Sequence, residues 1–139
     1  MVALTLVSGG EKKPDLVLKN LTWKSISSKT SNIIQGSQIV FCAEVLNDGN
    51  GSTPSGVPIT ATFIIDGKRV SWSDSSKTSL KPGQTRMLWA NDGPKKKNFW
   101  IASSGQYNLT VIFDDLFKID ESDEDNNTET IDLDFNQIP

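Results

Sequence analysis

The sequence predicts an all-β fold in which antiparallel strands form a sandwich, and three observations favour it. Apolar and polar residues alternate in one segment after another, as they do in strands that bury one face. Clusters of Asn, Asp, Gly and Pro interrupt the alternation about every ten residues, at the spacing of turns. The 139 residues, 36% hydrophobic and 22% charged, are enough for one domain with its own core.

The first two predicted strands occupy the N-terminal third of the chain. The segment from Asp15 to Trp23 changes phase near Asn20, which predicts a β-bulge and an edge position. The next strand alternates most regularly and ends at the turn-forming residues 47–51. Its inward-facing residues are Ile39, Phe41, Ala43 and Val45. This second strand is therefore predicted to lie in the core.

The remaining strands follow at similar spacing. Asp66 and Gly67 separate the alternating segment 59–65 from Arg69–Ser73, and this dipeptide predicts a tight hairpin. Three further strands are predicted at Thr85–Ala90, Tyr107–Phe113 and Ile131–Phe135. The total of about seven strands is typical of an immunoglobulin-like or fibronectin-III-like sandwich. No segment predicts a helix.

Composition limits the domain organisation and the partners. Residues 1–13 are interpreted as a linker and residues 14–136 as a single sandwich, because the apolar run Val2–Val7 is too short for a membrane span. The net charge of −3 and the scattered basic residues exclude a nucleic-acid stripe. Cys42 is the single cysteine, so no intrachain disulfide can form. Neither nucleic acid nor a membrane is an expected partner.

Six motifs, taken in order, resemble those of the CARDB-type modules, the cell-adhesion-related domains of bacteria and archaea. They are Pro14-Asp15-Leu16, Asn47-Asp48-Gly49, Ile65-Asp66-Gly67, Leu80-Lys81-Pro82-Gly83-Gln84, Gly105-Gln106-Tyr107 and the acidic segment Ile119–Asn127. The resemblance covers roughly residues 14–135. It implies an immunoglobulin-like sandwich in a secreted, extracellular protein. Modules of this kind serve as spacers, adhesins and appendages of carbohydrate-active enzymes, so the resemblance fixes no single function.

Catalysis is not expected. The chain has no histidine, so it cannot assemble a Ser-His or Cys-His nucleophile pair. Carboxylates remain as acid and base candidates, but most of them fall in one acidic turn and on the outward face of the last strand. Glycoside hydrolysis requires two carboxylates facing each other across a cleft. The chain is therefore predicted to bind a ligand rather than to transform one.

The four tryptophans carry the functional prediction. Strand phase places Leu88 and Ala90 inward, so Trp89 is predicted to face solvent. Trp72 lies in an otherwise polar strand and is also predicted to be exposed. Trp23 is assigned to packing, and Trp100 is a secondary candidate for binding because packing is favoured there too. Two exposed indoles together indicate a contact surface, although isolated exposed apolar residues are ordinary.

Sugar rings suit such a surface, because their apolar C–H face stacks on indole while their hydroxyl groups seek polar side chains. Four polar residues lie near Trp72 and Trp89 in the sequence: Arg69, Asp74, Asn91 and Asp92. Residues 91–98 form a long insertion relative to the usual CARDB pattern. Its lysines, Lys95 to Lys97, would add contacts if the insertion folds over the two indoles. The alternative is that the tryptophans cover a sheet face or an edge in a larger protein.

The acidic segment suggests a metal site. Asp114, Asp120, Asp123 and Asp125 are candidate ligands for a structural calcium ion, which takes 6–8 oxygen ligands. The segment lacks the glycine of an EF-hand loop, and Thr128 stands at that position. A solvated turn whose Asp and Asn side chains bind their own backbone is the plain alternative. No cofactor is expected to be required.

These observations give two functional hypotheses. The first is a secreted, non-catalytic carbohydrate-binding module that targets an appended glycoside hydrolase to a plant cell-wall β-glucan such as cellulose or xyloglucan. Its partners would be the polysaccharide and the catalytic domain of the parent enzyme. The alternative is an adhesion or spacer module of a bacterial surface or secreted protein, with protein partners. Exposure of Trp72 and Trp89 is the feature that separates the two.

Overall fold

The computed structural model describes residues 12–26 and 35–135 of the chain, and this part folds as an antiparallel sandwich. Its strands are β1 (Leu16–Ser25), β2 (Gln38–Asn47), β3 (Ala61–Ile65), β4 (Lys68–Ser73), β5 (Thr85–Trp89), β6 (Trp100–Ile101), β7 (Gln106–Phe113) and β8 (Thr128–Asp134). A single 3-10 turn, Pro94–Lys96, is the helical element within the described residues. No helix in those residues is long and apolar enough to cross a membrane.

The strands form two four-stranded sheets. The first sheet has the order β1-β2-β5, and β6 pairs with the remaining part of β2. The second sheet has the order β4-β3-β7-β8. Every pair is antiparallel. The predicted sandwich is therefore confirmed, and the short strand β6, which follows the insertion, is the element that sequence alternation did not predict.

Period-two alternation produces the core. Phe41 of β2 and Phe63 of β3 are fully buried, and their rings stack across the two sheets at 5.7 Å between centroids. Trp23 packs edge-on against Phe41, with 6.5 Å between centroids, as its assignment to packing predicts. Buried apolar side chains of both inner faces complete one continuous cluster. Since no disulfide is available, this cluster is the main source of stability.

Two local predictions are confirmed. The register of β1 against β2 shifts between Leu18 and Asn20, so the predicted bulge is present on an edge strand. Asp66 and Gly67 join β3 to β4 with φ of 49° and 83°, respectively. Positive φ at both central residues is the requirement of a type I′ hairpin turn, which explains the choice of Asp followed by Gly.

The two terminal strands run in the same direction. β1 begins beside the acidic segment, where the Leu16 amide donates to Glu121 Oε1 at 2.7 Å, and β8 begins directly after that segment, at Thr128. Near the ends of both strands, the Trp23 and Phe135 rings lie 6.0 Å apart. Both strands therefore start at the end of the sandwich that carries the acidic segment, which we call the acidic pole. Both end at the opposite pole. Residues 1–11 of the predicted linker lie outside the described residues. Residue 136, the last residue of the predicted sandwich, also lies outside them.

Candidate functional site

Trp89 lies on the outer face of the first sheet. Leu88 and Ala90 are buried, whereas Met87 is 45% and Trp89 37% exposed, so the predicted phase of β5 is confirmed. Trp89 pairs with Cys42 of β2, whose side chain is also outward in phase but fully buried. The Lys24 ammonium group sits 4.6 Å from the centroid of the Trp89 ring. A cation therefore already lies over one face of this indole.

Trp72 lies on the outer face of the second sheet and lines a cleft of about 130 Å³. It is half-buried rather than freely exposed. We call this the Trp72 cleft. Its lining residues come from β4 and the position after it, from β3 and the position before it, and from the segment after β7: Arg69, Trp72, Asp74, Thr60, Thr62, Asp115 and Leu116. Asp115 and Leu116 lie in the segment after β7, which the sequence did not place near Trp72. That segment forms the part of the cleft lining that comes from outside β3 and β4.

The structure does not bring the two indoles together. Trp72 pairs with Thr62, and both side chains point away from the core residues Ala61 and Phe63. Trp89 points away from the core on the other sheet. Because the inner faces of the two sheets pack together, their outer faces point in opposite directions. One flat sugar chain cannot stack on both indoles.

The other predicted contact residues divide between the cleft and structural roles. Asp74 and Asn91 bind each other, with Asn91 Nδ2 donating to Asp74 Oδ1 and the Asp74 amide donating to Asn91 Oδ1, both at 2.9 Å. Asp92 bridges to the Trp72 backbone, and its carboxylate accepts the Gly93 amide. Trp100 packs on Phe41 and Phe135 at 6.2 and 5.9 Å between centroids, so it belongs to the aromatic core.

The insertion 91–98 follows the edge of β4. The amide of Trp72 donates to Asp92 O at 2.9 Å, and the amide of Asn91 donates to Trp72 O at the same distance. Lys95 to Lys97 remain exposed, and the Lys97 ammonium group lies 5.9 Å from the Phe99 ring centroid. The insertion therefore extends the edge beside Trp72 and does not cover its indole with lysines.

Three carboxylates converge at the acidic pole. Asp114, Glu121 and Glu124 each place one oxygen within 4.8 Å of the others. Asp114 is 1% exposed, and its two oxygens accept the amides of Lys118 and Ile119 at 2.9 and 2.8 Å. Glu124 Oε1 is buried without a hydrogen-bond partner among the described residues. We call these three side chains the acid triad. They offer hard oxygen ligands of the kind that calcium takes.

Burial dominates the electrostatics of the acid triad. Glu121 is 4% exposed, and this burial raises the pKa of its carboxyl to about 8, with further contributions from the neighbouring Glu124 and Asp114. Burial also raises the pKa of Asp114, although the amides of Ile119 and Lys118 oppose the shift. Buried carboxylates in contact require a proton or a cation between them. Burial thus favours the protonated forms of Glu121 and Asp114 in the folded protein.

The predicted metal ligands overlap the triad at one residue. Asp114 belongs to it, whereas Asp120 and Asp125 are exposed and Asp123 accepts the Asp125 amide in a local turn at 2.9 Å. Asp120 instead forms an ion pair with Lys13 at 3.2 Å. Glu121 and Glu124 belong to the same acidic segment but were not among the four candidate ligands chosen from the sequence. Alternation from the buried Ile119 was the available signal, because it places Glu121 inward and Asp120 outward.

A larger hollow of about 460 Å³ lies on β7 and β8, next to the β3–β4 hairpin. Three of its lining residues, Asp66, Asp132 and Asp134, are acidic, and Tyr107 contributes an aromatic ring. Asp66 Oδ1 accepts the Asn108 amide at 2.8 Å, which is a structural role. No tryptophan lines this hollow, so its chemistry offers less to a sugar ring than the Trp72 cleft.

Comparison with known families identifies the class of this protein. The CARDB family profile matches residues 13–131, which is most of the chain, and the chain therefore belongs to the CARDB family. A comparison with curated proteins finds no match.

Solved structures show the same fold. One is a domain of a Methanosarcina acetivorans protein that is provisionally named a cell-surface protein. It is 23% identical to this chain in sequence, and its TM-score is 0.59. The match covers 88% of this chain and 91% of that domain. Another is a CARDB domain from Pyrococcus furiosus that was crystallised in complex with di-metal ions. It is 20% identical to this chain with a TM-score of 0.58, and the match covers 88% of this chain and 93% of that one. These likenesses establish the sandwich.

Proposed function

We propose that this chain is a non-catalytic adhesion or spacer module of a protein displayed outside the cell. The observation that carries the proposal is the common direction of β1 and β8, because the described chain starts at the acidic pole and ends at the opposite pole. Modules built in this way line up in series when they are joined end to end. Membership of the CARDB family and the fold shared with the Methanosarcina acetivorans domain support an extracellular role.

The same geometry suits the module to carry tension. A force applied along the chain ends acts along β1 and β8, parallel to the strands. It loads the β1–β2 and β7–β8 ladders in shear, so that the paired residues from Leu16 to Ser25 and from Gln106 to Ile112 share the load. Interstrand hydrogen bonds lie perpendicular to the strands in an antiparallel pair, and shear strains them together rather than one at a time.

The first described residues are fixed to the acidic pole. Lys13 O accepts the amides of Asn50 and Gly51, both at 3.1 Å, and Pro14 O accepts the Ser122 amide at 2.9 Å. The Lys13 amide donates to Asn50 Oδ1 at 3.1 Å. These bonds set the direction in which the chain joins the sandwich. A pull on residues 13 and 14 would therefore reach the sandwich at the acidic pole, next to the start of β1.

A calcium ion at the acid triad would stabilise this junction. Asp114, Glu121 and Glu124 fit the ion, since a carboxylate oxygen that accepts one amide keeps a lone pair for a metal, and Glu124 Oε1 has no other partner among the described residues. Glu121 Oε1 also accepts the Leu16 amide, so the ion would brace the start of β1. The di-metal complex of the Pyrococcus furiosus domain supports metal binding in the family.

Single-molecule pulling tests the spacer role. Stretched between its two ends, the module should resist until it unfolds in one step, with a length gain on the order of 400 Å at about 3.3–3.6 Å per residue. A control with handles at Thr60→Cys and Asp74→Cys opens the β3–β4 hairpin from its open end and should yield at lower force, because bonds then break in succession. End-to-end forces no higher than those of the hairpin control would contradict the proposal.

Calcium titration tests the metal. Thermal unfolding of the wild type should shift upward with calcium, by an amount equivalent to about 2.7 kcal/mol when the ion is at 100 times its Kd. Glu121→Gln should abolish the shift, whereas Asp123→Asn, outside the triad, should retain it. An unchanged melting temperature at millimolar calcium would remove the metal from the proposal and leave the spacer geometry intact.

The β-glucan and glycoside hydrolase partners of the sequence-based hypothesis stay predictions. None of the relatives described above is named for either.

A further inference from the structure

The Trp72 cleft combines one aromatic surface with an unusual density of polar groups. Thr62 Oγ1 donates to Asp115 Oδ2 at 3.0 Å, and Arg69 Nη2 contacts the same oxygen at 3.2 Å. The Asp115 side chain is only 16% exposed, so this carboxylate is held in place by the sandwich. Two elements distant in the sequence thus build the cleft.

The cleft also contains an unused hydroxyl group. Thr60 Oγ1 is buried and has no hydrogen-bond partner among the described residues. The backbone of Thr60 is fixed, because its carbonyl accepts the Asp114 amide at 3.0 Å. Buried polar groups are normally satisfied by protein, water or ligand. The Thr60 hydroxyl group is therefore a candidate partner for a molecule bound in the cleft.

Charge restricts the class of ligand. Arg69 contributes one positive charge, while Asp74 and Asp115 contribute two negative ones, so the cleft disfavours phosphates and acidic sugars. A cationic ligand is also disfavoured, since the Arg69 guanidinium group already lies 5.8 Å from the Trp72 ring centroid and is paired with Asp115. The remaining class is a neutral molecule with one apolar face and several hydroxyl groups.

We propose that the Trp72 cleft binds one neutral pyranose ring of a glycan. The ring stacks on the exposed part of the half-buried Trp72 indole, beside Arg69, and its hydroxyl groups donate to the Asp74 and Asp115 carboxylates and accept from the Arg69 guanidinium group. This proposal rests on the adhesion role above and names its ligand. It differs from the two-indole surface expected from the sequence, because Trp89 lies on the opposite face of the sandwich and takes no part.

A single stacked ring gives weak binding. One exposed contact of this size must offset the loss of translational and rotational freedom, and we expect a Kd in the range of about 0.1–10 mM. Repetition of modules along a surface protein would raise the apparent affinity through multivalency. Weak single sites are consistent with an adhesion module.

The experiment is an NMR titration of the full chain, recording the indole N–H signals of the tryptophans. The probes are neutral oligosaccharides of cellulose, xyloglucan, mannan and galactan, with oligogalacturonate as the acidic comparison. At least one neutral glycan should shift the Trp72 signal and leave the Trp89 signal unchanged. The acidic glycan should bind at least 10-fold more weakly.

Variants make the result decisive. Trp72→Ala should weaken binding by 10-fold or more, and Trp89→Ala, the matched control on the other face, should leave it unchanged. Asp74→Ala, at an exposed position, should weaken binding 3- to 10-fold and serves as the second test if Trp72→Ala does not fold. The proposal is overturned if no neutral glycan binds at 10 mM, if Trp89→Ala weakens binding as much as Trp72→Ala, or if the acidic glycan binds best. The pulling and calcium experiments contain no sugar, so their outcome is independent.

Discussion

Asn47 illustrates how one side chain joins three segments at the acidic pole. It is fully buried, and Oδ1 accepts the amides of Asp15 and Gly49, each at 3.0 Å. Its Nδ2 donates to Gly51 O at 2.8 Å and to Leu80 O at 3.0 Å. All of the hydrogen-bonding capacity of the amide is used. The Asn-Asp-Gly motif is therefore more than a turn signal, because its first residue ties β1 and the 80–84 turn to the loop.

Replacing Asn47 should be strongly destabilising. In Asn47→Ala the buried partners of the amide lose their bonds, and we expect the free energy of unfolding to fall by about 2–4 kcal/mol. Urea denaturation measures the change. Asn50→Ala, which removes a single bond from an exposed side chain in the same loop, is the control and should cost about 1 kcal/mol or less. Equal losses in the two variants would show that the buried amide has no special role.

Cys42 should be chemically inert in the folded protein. Its side chain is fully buried, and burial raises the pKa of the thiol to about 11. Since the thiolate is the reactive form, the native chain should resist alkylation by iodoacetamide at pH 8, and the same chain in denaturant should react readily. Mass spectrometry of the alkylated protein measures both. Rapid native labelling would contradict the burial of Cys42.

At the scale of elements, Gly49 allows the start of β1 to approach the loop after β2. A Cβ at this position would meet backbone atoms of the incoming segment: Lys13 O, and Asp15 N and Pro14 C at 2.7 Å. Backbone cannot move aside as a flexible side chain can. The close approach makes the hydrogen bonds of residues 13–15 possible.

Gly49→Ala should therefore loosen the junction. We expect a loss of about 1–3 kcal/mol in the free energy of unfolding, the range of overpacking substitutions. Hydrogen exchange of the Asn50 and Gly51 amides, which donate to Lys13 O, should accelerate relative to that of the core amides. Ser52→Ala, at an exposed neighbouring position, is the control and should leave stability within 0.5 kcal/mol or so. An undisturbed exchange pattern in Gly49→Ala would argue against the close approach.

Elements also show what the sequence could and could not predict. Alternation within β5 predicted the outward position of Trp89, because side-chain phase along a strand is a local property. The half-burial of Trp72 was not predictable in this way, since Asp115 and Leu116 come from a segment more than 40 residues away. The same limit applied to β6, which has two residues and no alternation of its own.

The predicted metal ligands differ from the acid triad for another reason. Counting acidic residues favoured Asp120, Asp123 and Asp125, although exposed carboxylates are ordinary in a solvated turn. The triad depends on which acids are buried. The phase set by Ile119 assigns Glu121, but the approach of Glu124 to Asp114 depends on how the loop folds.

At the scale of the whole molecule, the acidic pole is expected to couple stability to pH. In chelated protein, Glu121 has a folded-state pKa of about 8, compared with an ordinary value of 4.5. Between these values the folded state holds a proton that the unfolded state has lost. The stability contributed by Glu121 is therefore fully present below pH 4.5 and is lost as pH rises through 8.

The expected result is a chelated sandwich that becomes less stable from pH 5 to pH 8, by up to about 1.4 kcal/mol per pH unit for this one proton. Glu121→Gln, which keeps the shape of the side chain without its titration, should flatten the profile. The proposed calcium ion would bind the deprotonated carboxylates, so its stabilisation should grow with pH and offset the loss. Denaturant unfolding at pH 5, 6, 7 and 8, with calcium or chelator, measures both effects. Chelated stability that rises toward pH 8 in the wild type, or equal profiles in the wild type and Glu121→Gln, would show that Glu121 is not the group that couples folding to pH.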